Sequence, residues 1–366
     1  MSQMLTRLYI DNYRCFVNFE FRPAGRQLIL GGNGSGKSSF MDALGFLRQI
    51  VVEGTKIADT YDPDQLTRWL DRSAQTFELE TKLGDFQYRY RLVLDRSKNA
   101  LVPGVGSEAV TLNGESLLET LGAQVCFRGG PSRGDLVYER DPDRSALAMA
   151  PFRAFPNLFG LKRWLGEMRC FRINPFSMES RSDREAPSPD YDLSNLAAWY
   201  RHLVQSSPKE TRAFLDSLSA AIDGFSHLRF ESVGERVSLL QAEFRGGARF
   251  SFKELSDGQR CLIALYMILH FVVAKGGTVV IDEPENFISL REIQPWLTAV
   301  TDAVEDGHGQ VLLISHHPEI IDQWAPENGV QFVRDEAGPV RVEEFHGNPN
   351  SALSASELVA RGWERE

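Results

Sequence analysis

Paired cysteines, long apolar runs, heptad repeats and a basic surplus are all missing from these 366 residues. The longest apolar stretch, CLIALYMILHFVVA from Cys261 to Ala274, contains His270 and falls short of the roughly 20 residues that span a bilayer. A buried helix is expected there, and no membrane partner. The first residues, MSQMLTRLYIDNYR, hold no apolar core, so no signal peptide is expected. The 4 cysteines, Cys15, Cys126, Cys170 and Cys261, are scattered without a CxxC pair. That spacing argues against a disulfide framework or a zinc site and for reduced thiols in the cytoplasm. A net charge of −10 excludes a generally basic coat for nucleic acid, although it leaves room for a local patch. Without sustained a/d heptads no long coiled-coil arm is expected, and no internal repeat or low-complexity segment stands out.

What is present is ordinary globular composition, 42% hydrophobic and 25% charged, enough for one large domain or two coupled lobes. LTRLYIDNYRCFVNFEF alternates as two strands around a turn at Asp11–Asn12. QLILGG is a short apolar strand ending in glycine. Phe40, Leu44, Leu47 and Val51 then recur at helical spacing, with Gly54 placed to stop the helix. TFELETKLGDFQYRYRLVLDR gives two more strands about Gly84–Asp85. In the last third, helices separate the buried-type strands TVVIDEP and QVLLISHHP, the pattern of a parallel sheet with helices on its faces. The expected division is an N-terminal lobe over 1–95, an inserted arm or linker over 96–165, a strand and helical subdomain over 166–250, a C-terminal lobe over 251–347 and a tail over 348–366.

LILGGNGSGKSSFMDAL, from Leu28 to Leu44, satisfies G-x-x-x-x-G-K-[ST] at Gly31, Gly36, Lys37 and Ser38. Glycines let backbone N–H groups approach phosphate oxygens with no Cβ in the way, and a helix N-terminus adds favourable partial charge. Lys37 is placed to reach the β- and γ-phosphates, and the Ser38 hydroxyl to hold Mg²⁺. A glycine-rich turn could fit the pattern by chance, but the strand before and the helix after are the context it requires. TVVIDEPEN then supplies Asp282 to hold Mg²⁺ through water and Glu283 as general base for the attacking water. A lone DE pair is usually a solvated turn; behind the apolar run Val279–Ile281 and paired with a phosphate loop it is not. LSDGQR puts Ser256 and Gly258 at a second helix start, a second anion site that makes sense if it closes on the nucleotide of another subunit. ISHHPE places His316 at a strand end within reach of a γ-phosphate.

This order of motifs resembles the ATP-binding-cassette (ABC) class of ATPases: Walker A, signature, Walker B, switch histidine. The NYRCF start and MDALGF after the loop resemble its RecF-like, SMC-like and OLD-like branch, and in particular a group of bacterial predicted ATPases, AAA-type and ABC-like. FRINPFSMES, LSDGQR, IDEPEN and SHHPEIID follow that pattern. The resemblance implies an α/β P-loop NTPase of ABC-ATPase type, with a mixed-sheet lobe and a parallel-sheet core carrying helices on both faces. It implies that Asn33, Gly34, Gly36, Lys37, Ser38 and Ser39 bind ATP and Mg²⁺. Ser256, Gly258 and Gln259 cap ATP in trans, Ser38 and Asp282 serve the metal, and Glu283, Lys37 and His316 serve catalysis. Such ATPases form a homodimer that sandwiches two ATPs. Asp257 stands where transporters carry glycine. Gln124 and Asn174 are alternative Q-loop residues, and NFISLRE lacks a clean D-loop. No acidic cluster of the OLD nuclease kind follows, so a nuclease effector would be a separate chain.

The function implied is a soluble, cytoplasmic, ATP-gated dimer in DNA transactions or antiviral defence, working with a separate effector protein. The alternatives are the ATPase subunit of a membrane transporter and a non-hydrolysing ATP-dependent binding module; Glu283 argues against the latter. Residues 128–184 carry 11 Arg/Lys against 7 Asp/Glu. Two readings stay open for that stretch, a DNA or partner surface and a mixed-charge solvated face.

Overall fold

The computed structural model describes residues 3–95, 103–129, 134–234, 236–336, 338–346 and 353–363. The chain forms two compact units, Met1–Met168 with Asn328–Phe345, and Arg169–Glu327 with His346–Glu366.

The first unit is built on an antiparallel eight-stranded sheet in the order Phe19–Phe21, Gln3–Asp11, Gln75–Leu83, Phe86–Asp95, Gly104–Leu112, Glu115–Leu121, Gln124–Phe127, Leu136–Glu139. Period-2 patterning specifies the long strands: in Phe86–Asp95, Tyr88, Tyr90, Leu92 and Leu94 are buried while Arg89 and Arg91 face water. The expected turn after Asp11 is an irregular loop in which Asn12, Arg14 and Asn18 take φ of 58°, 48° and 48°. Asn12 fixes it by donating its side-chain N–H groups to the carbonyls of Arg72 (2.7 Å) and Ala74 (2.9 Å).

The arm expected over 96–165 is not separate. Its described strands continue the same sheet, with Val105, Val110, Leu118, Val125 and Phe127 buried. Short strands and frequent charges hide that alternation in the sequence. One buried carboxylate ties the following loop down. Glu108 accepts from Tyr90 Oη (2.9 Å), Ser145 Oγ (2.6 Å) and the backbone N–H groups of Ala146 (2.6 Å) and Leu147 (3.3 Å). Burial pushes its carboxyl above the ordinary carboxylate range, against the pull of those donors. Glu108→Ala leaves them unpaired in a dry site, and urea unfolding is expected to register a loss of about 3–5 kcal/mol; Glu108→Gln, which keeps an acceptor, loses less.

The same unit pairs Arg26–Leu30 in parallel with Gly329–Val333, and Arg341–Glu344 lies antiparallel to the latter. The helix Lys37–Arg48 buries Phe40, Met41, Ala43, Leu44, Phe46 and Leu47. Phe40 meets Phe21 and Phe332 edge-on at 5.6 and 5.8 Å. Gly54, at φ 68°, ends the π-helical turn Gln49–Glu53 that follows, as its position in the sequence suggests.

In the second unit Arg169–Arg172, Thr278–Asp282 and Gln310–Ile314 form parallel strands. The apolar run is the core helix Asp257–Phe271, buried on nearly every side. Trp296, on the helix Leu290–Glu305, donates its indole N–H to the Leu265 carbonyl at 3.1 Å. The helices Leu196–Ser206 and Pro208–Ala221 fall in the expected strand and helical subdomain, and Val237–Phe244 pairs with Arg181–Ser182, Phe225–Val233 and Arg249–Ser251 in a small antiparallel sheet. The tail helix Ala355–Arg361 is held by Asp322, which accepts from Ser356 N at 2.7 Å. Tail residues 347–352 and 364–366 lie outside the described residues.

Candidate functional site

The glycine-rich loop joins the strand Arg26–Leu30 to the helix Lys37–Arg48 in the first unit. Its conformation excludes side chains at two points. A Cβ on Gly31 would lie 2.6 Å from the Phe332 carbonyl oxygen and from Ser35 Oγ; one on Gly36, at φ 97°, would lie 2.9 Å from Cys15 Sγ. Gly34 is also left-handed, at φ 78°. The helix opens with no side-chain cap and no acidic residue in its first turn, so no carboxylate of its own first turn competes for its N-terminal N–H groups. Lys37 Nζ bends back over the loop and donates to the carbonyls of Gly31 and Gly32, the latter at 3.0 Å. Asn33, Gly34 and Ser38 are exposed, and Ser39 is half-buried. Arg334 Nη1 donates to the Gly34 carbonyl (3.3 Å) and its guanidinium lies over the Trp69 ring; neither residue belongs to a motif in the sequence. Cys15 lies beneath the loop, and burial pushes its thiol up, away from thiolate reactivity.

The remaining motifs belong to the second unit. Asp282 ends the strand Thr278–Asp282, and Glu283 follows it with φ 49° and its N–H on the Ile314 carbonyl (2.7 Å). The exposed Glu283 carboxylate accepts from Asn286 Nδ2 at 2.7 Å, which fixes its direction. A second strained residue, Phe287 at φ 71°, packs edge-on against Phe176 at 5.5 Å. Its carbonyl explains Gly258: a Cβ there would lie 2.6 Å from Phe287 O. Ser256 and Gln259, expected to cap a nucleotide, form a reciprocal capping box on their own helix. Asp257 in that first turn is paired with Arg260, which also donates to the Pro175 carbonyl at 2.6 Å. The segment without a clean D-loop, NFISLRE, serves as another helix start, with Ser289 and Glu292 as its capping box.

The two histidines of SHHPE separate clearly. His317 works locally: its N–H donates to Ser315 Oγ (3.0 Å) and its Nδ1 accepts from Glu319 N (3.3 Å). His316 is exposed at the strand end. Glu285 links this turn to the Walker B loop, accepting Ser315 Oγ at 2.6 Å and the His316 N–H, and burial pushes its carboxyl up. Of the two Q-loop alternatives, Gln124 starts an exposed strand end in the first unit, whereas Asn174 follows the strand beside Walker B. The Asn174 side chain caps a turn, accepting Phe176 N at 3.1 Å.

The charge surplus of 128–184 is divided between the units, and much of it has internal acceptors. Arg128 pairs with Asp135 (2.6 Å), Arg140 donates to the Val105 carbonyl, Arg144 to that of Gly54 and Lys162 to that of Ala148 (2.9 Å). Arg133 lies outside the described residues. These partners favour the mixed-charge reading for that stretch.

Comparison with known proteins gives the family and the fold. Residues 28–322 match the family described as "AAA domain, putative AbiEii toxin, Type IV TA system". The chain belongs to this family. A second AAA-domain family matches residues 7–48. The AAA-domain chain is 25% identical over 269 residues to the DNA replication and repair protein RecF of Shewanella baltica strain OS223, covering 70% of this chain and 65% of that protein. It is 26% identical over 231 residues to RecF of Prosthecochloris aestuarii, covering 58% and 54%. The chain thus spans less than two thirds of these relatives' length. Among solved structures, the SMC head domain from Thermotoga maritima superposes with a TM-score of 0.50 at 14% identity, covering 95% of this chain and all of that one. An SmcHead bound to the C-winged helix domain of ScpA gives 0.52 at 13% identity, covering 93% and 98%. The fold is that of the SMC head, and the chain, an AAA-domain protein by its family, is similar in sequence to RecF.

ATPases of this kind bind ATP with Mg²⁺. The residues present fit both groups: a cradle that a Cβ would fill at Gly31 and Gly36, an uncapped helix start, and a largely buried carboxylate at Asp282.

Proposed function

We propose that this chain hydrolyses Mg-ATP as a homodimer, each nucleotide lying between the Walker A loop of one copy and the signature segment of the other. The observation that carries hydrolysis, beyond binding, is Glu283: an exposed carboxylate directly after Asp282, held by Asn286 on a strained left-handed backbone. In this account Gly34, Gly36 and the helix N–H groups bind phosphate oxygens. Lys37 leaves the Gly31 and Gly32 carbonyls for the β- and γ-phosphates, and Asn33 and Ser39 line the cradle. Ser38 and Asp282 would hold Mg²⁺, which would supply charge neutralisation at the phosphates when bound. Glu283 takes the proton of the attacking water, and His316 contacts the γ-phosphate. Ser256, Gly258 and Gln259 close the site from the partner copy, where the Ser256 hydroxyl can accept its own helix N–H and still donate to phosphate.

The likeness to RecF supports DNA as the stimulating ligand, and a family description that names a type IV toxin–antitoxin system fits a setting in bacterial defence; a separate effector protein in the cytoplasm is part of the same proposal. The experiment is phosphate release by the purified chain at low salt, with and without duplex DNA. The expected result is Mg²⁺-dependent turnover that DNA stimulates and that rising salt returns to the basal rate. Turnover indifferent to DNA removes DNA and directs the search to a protein ligand; absence of turnover with ATP bound favours the non-hydrolysing module.

A further inference from the structure

Arg172 and Asp282 are the last residues of two neighbouring parallel strands and stand directly opposite each other in register. Arg172 Nε and Nη2 both donate to Asp282 Oδ2, at 2.8 and 2.6 Å. The Asp282 side chain is only 12% exposed, whereas that of Arg172 is 51% exposed. A monovalent cation on a long, solvent-reaching stem therefore occupies one oxygen of the carboxylate assigned to Mg²⁺.

We propose that Arg172 is a built-in counter-ion of Asp282 that Mg²⁺ must displace when nucleotide binds. A carboxylate this buried is costly to leave without a cation, and the strand register supplies one at no cost in backbone order. A divalent ion at the same carboxylate repels the guanidinium, and the exposed side chain can withdraw into water without moving its strand. The arginine thus raises the Mg²⁺ concentration at which the site fills and keeps Asp282 paired when it is empty. The inference rests on Asp282 being the metal carboxylate of the proposed ATP site.

The test is equilibrium binding of a fluorescent ATP analogue to the full chain, titrated with MgCl₂, for wild type, Arg172→Ala, Arg172→Gln and Arg172→Lys. Thermal unfolding is followed on the same samples. In the Ala and Gln variants the Mg²⁺ midpoint is expected to fall by roughly three- to tenfold, the range of a partly exposed charge-assisted pair. Arg172→Lys keeps a midpoint near wild type. Without metal the Ala and Gln variants melt below wild type, and saturating Mg²⁺ with nucleotide closes the gap. Unchanged midpoints in both variants overturn the inference. So does weaker nucleotide binding in EDTA, which would make Arg172 a phosphate ligand instead. A wild-type chain that binds no analogue at any Mg²⁺ concentration overturns the ATP reading itself, a failure recognised because it needs no substitution.

Discussion

Glu283→Gln lowers ATP turnover by about a hundred- to ten-thousandfold, the range that a positioned general base contributes. The substitution keeps the shape of the side chain and its contact with Asn286, since an amide oxygen can still accept from Nδ2. It removes only the ability to take a proton from water. Nucleotide affinity is therefore expected to stay within a few-fold of wild type, and the ATP-bound dimer, unable to discharge, accumulates. Single-turnover phosphate release reads the chemical step, and sedimentation with and without Mg-ATP reads the trapped dimer. A variant that turns over at the wild-type rate removes Glu283 from the mechanism.

Lys37→Ala weakens ATP binding by at least about a hundredfold, because it deletes charge-assisted contacts to two phosphates. The effect should vanish for adenosine, which has no phosphate to meet the ammonium. Lys37 also closes the loop over the Gly31 and Gly32 carbonyls, so some local loosening accompanies the loss. Gly36→Ala separates the two contributions. It keeps the ammonium but forces a Cβ against Cys15 Sγ at 2.9 Å in a left-handed conformation, so its defect should appear as lowered stability before nucleotide is added. Unfolding of the two variants without ligand, beside ATP and adenosine binding, distinguishes charge from packing.

Much of this was legible in the sequence because the signals were local. The loop from Gly31 to Ser38 and the apolar strand before Asp282 are short stretches whose chemistry and backbone are written together. The eight-stranded sheet was half visible: Phe86–Asp95 alternates cleanly, but the strands from Gly104 to Glu139 are short, and Glu108 sits inward where a polar face would be expected. The positioning residues were invisible for a different reason. Arg172 meets Asp282 across 110 positions, Ser315 meets Glu285 across 30, and Arg334 meets Gly34 across 300. Such pairs are set by strand register and loop closure, which one sequence does not display. Conversely, the surplus of arginine over 128–184 was plain, yet its use was not, because backbone carbonyls that accept arginine leave no mark in the sequence.

The trans arrangement of the site is the central claim, and mixing two inactive variants tests it most directly. Lys37→Ala spoils the Walker A loop, and Ser256→Arg spoils the signature segment. In a mixed dimer one of the two sites draws an intact loop from one copy and an intact signature from the other. Phosphate release by an equimolar mixture is expected to rise well above either variant alone, toward about a quarter of wild type if pairing is random. A mixture no more active than the average of its two components would contradict the account.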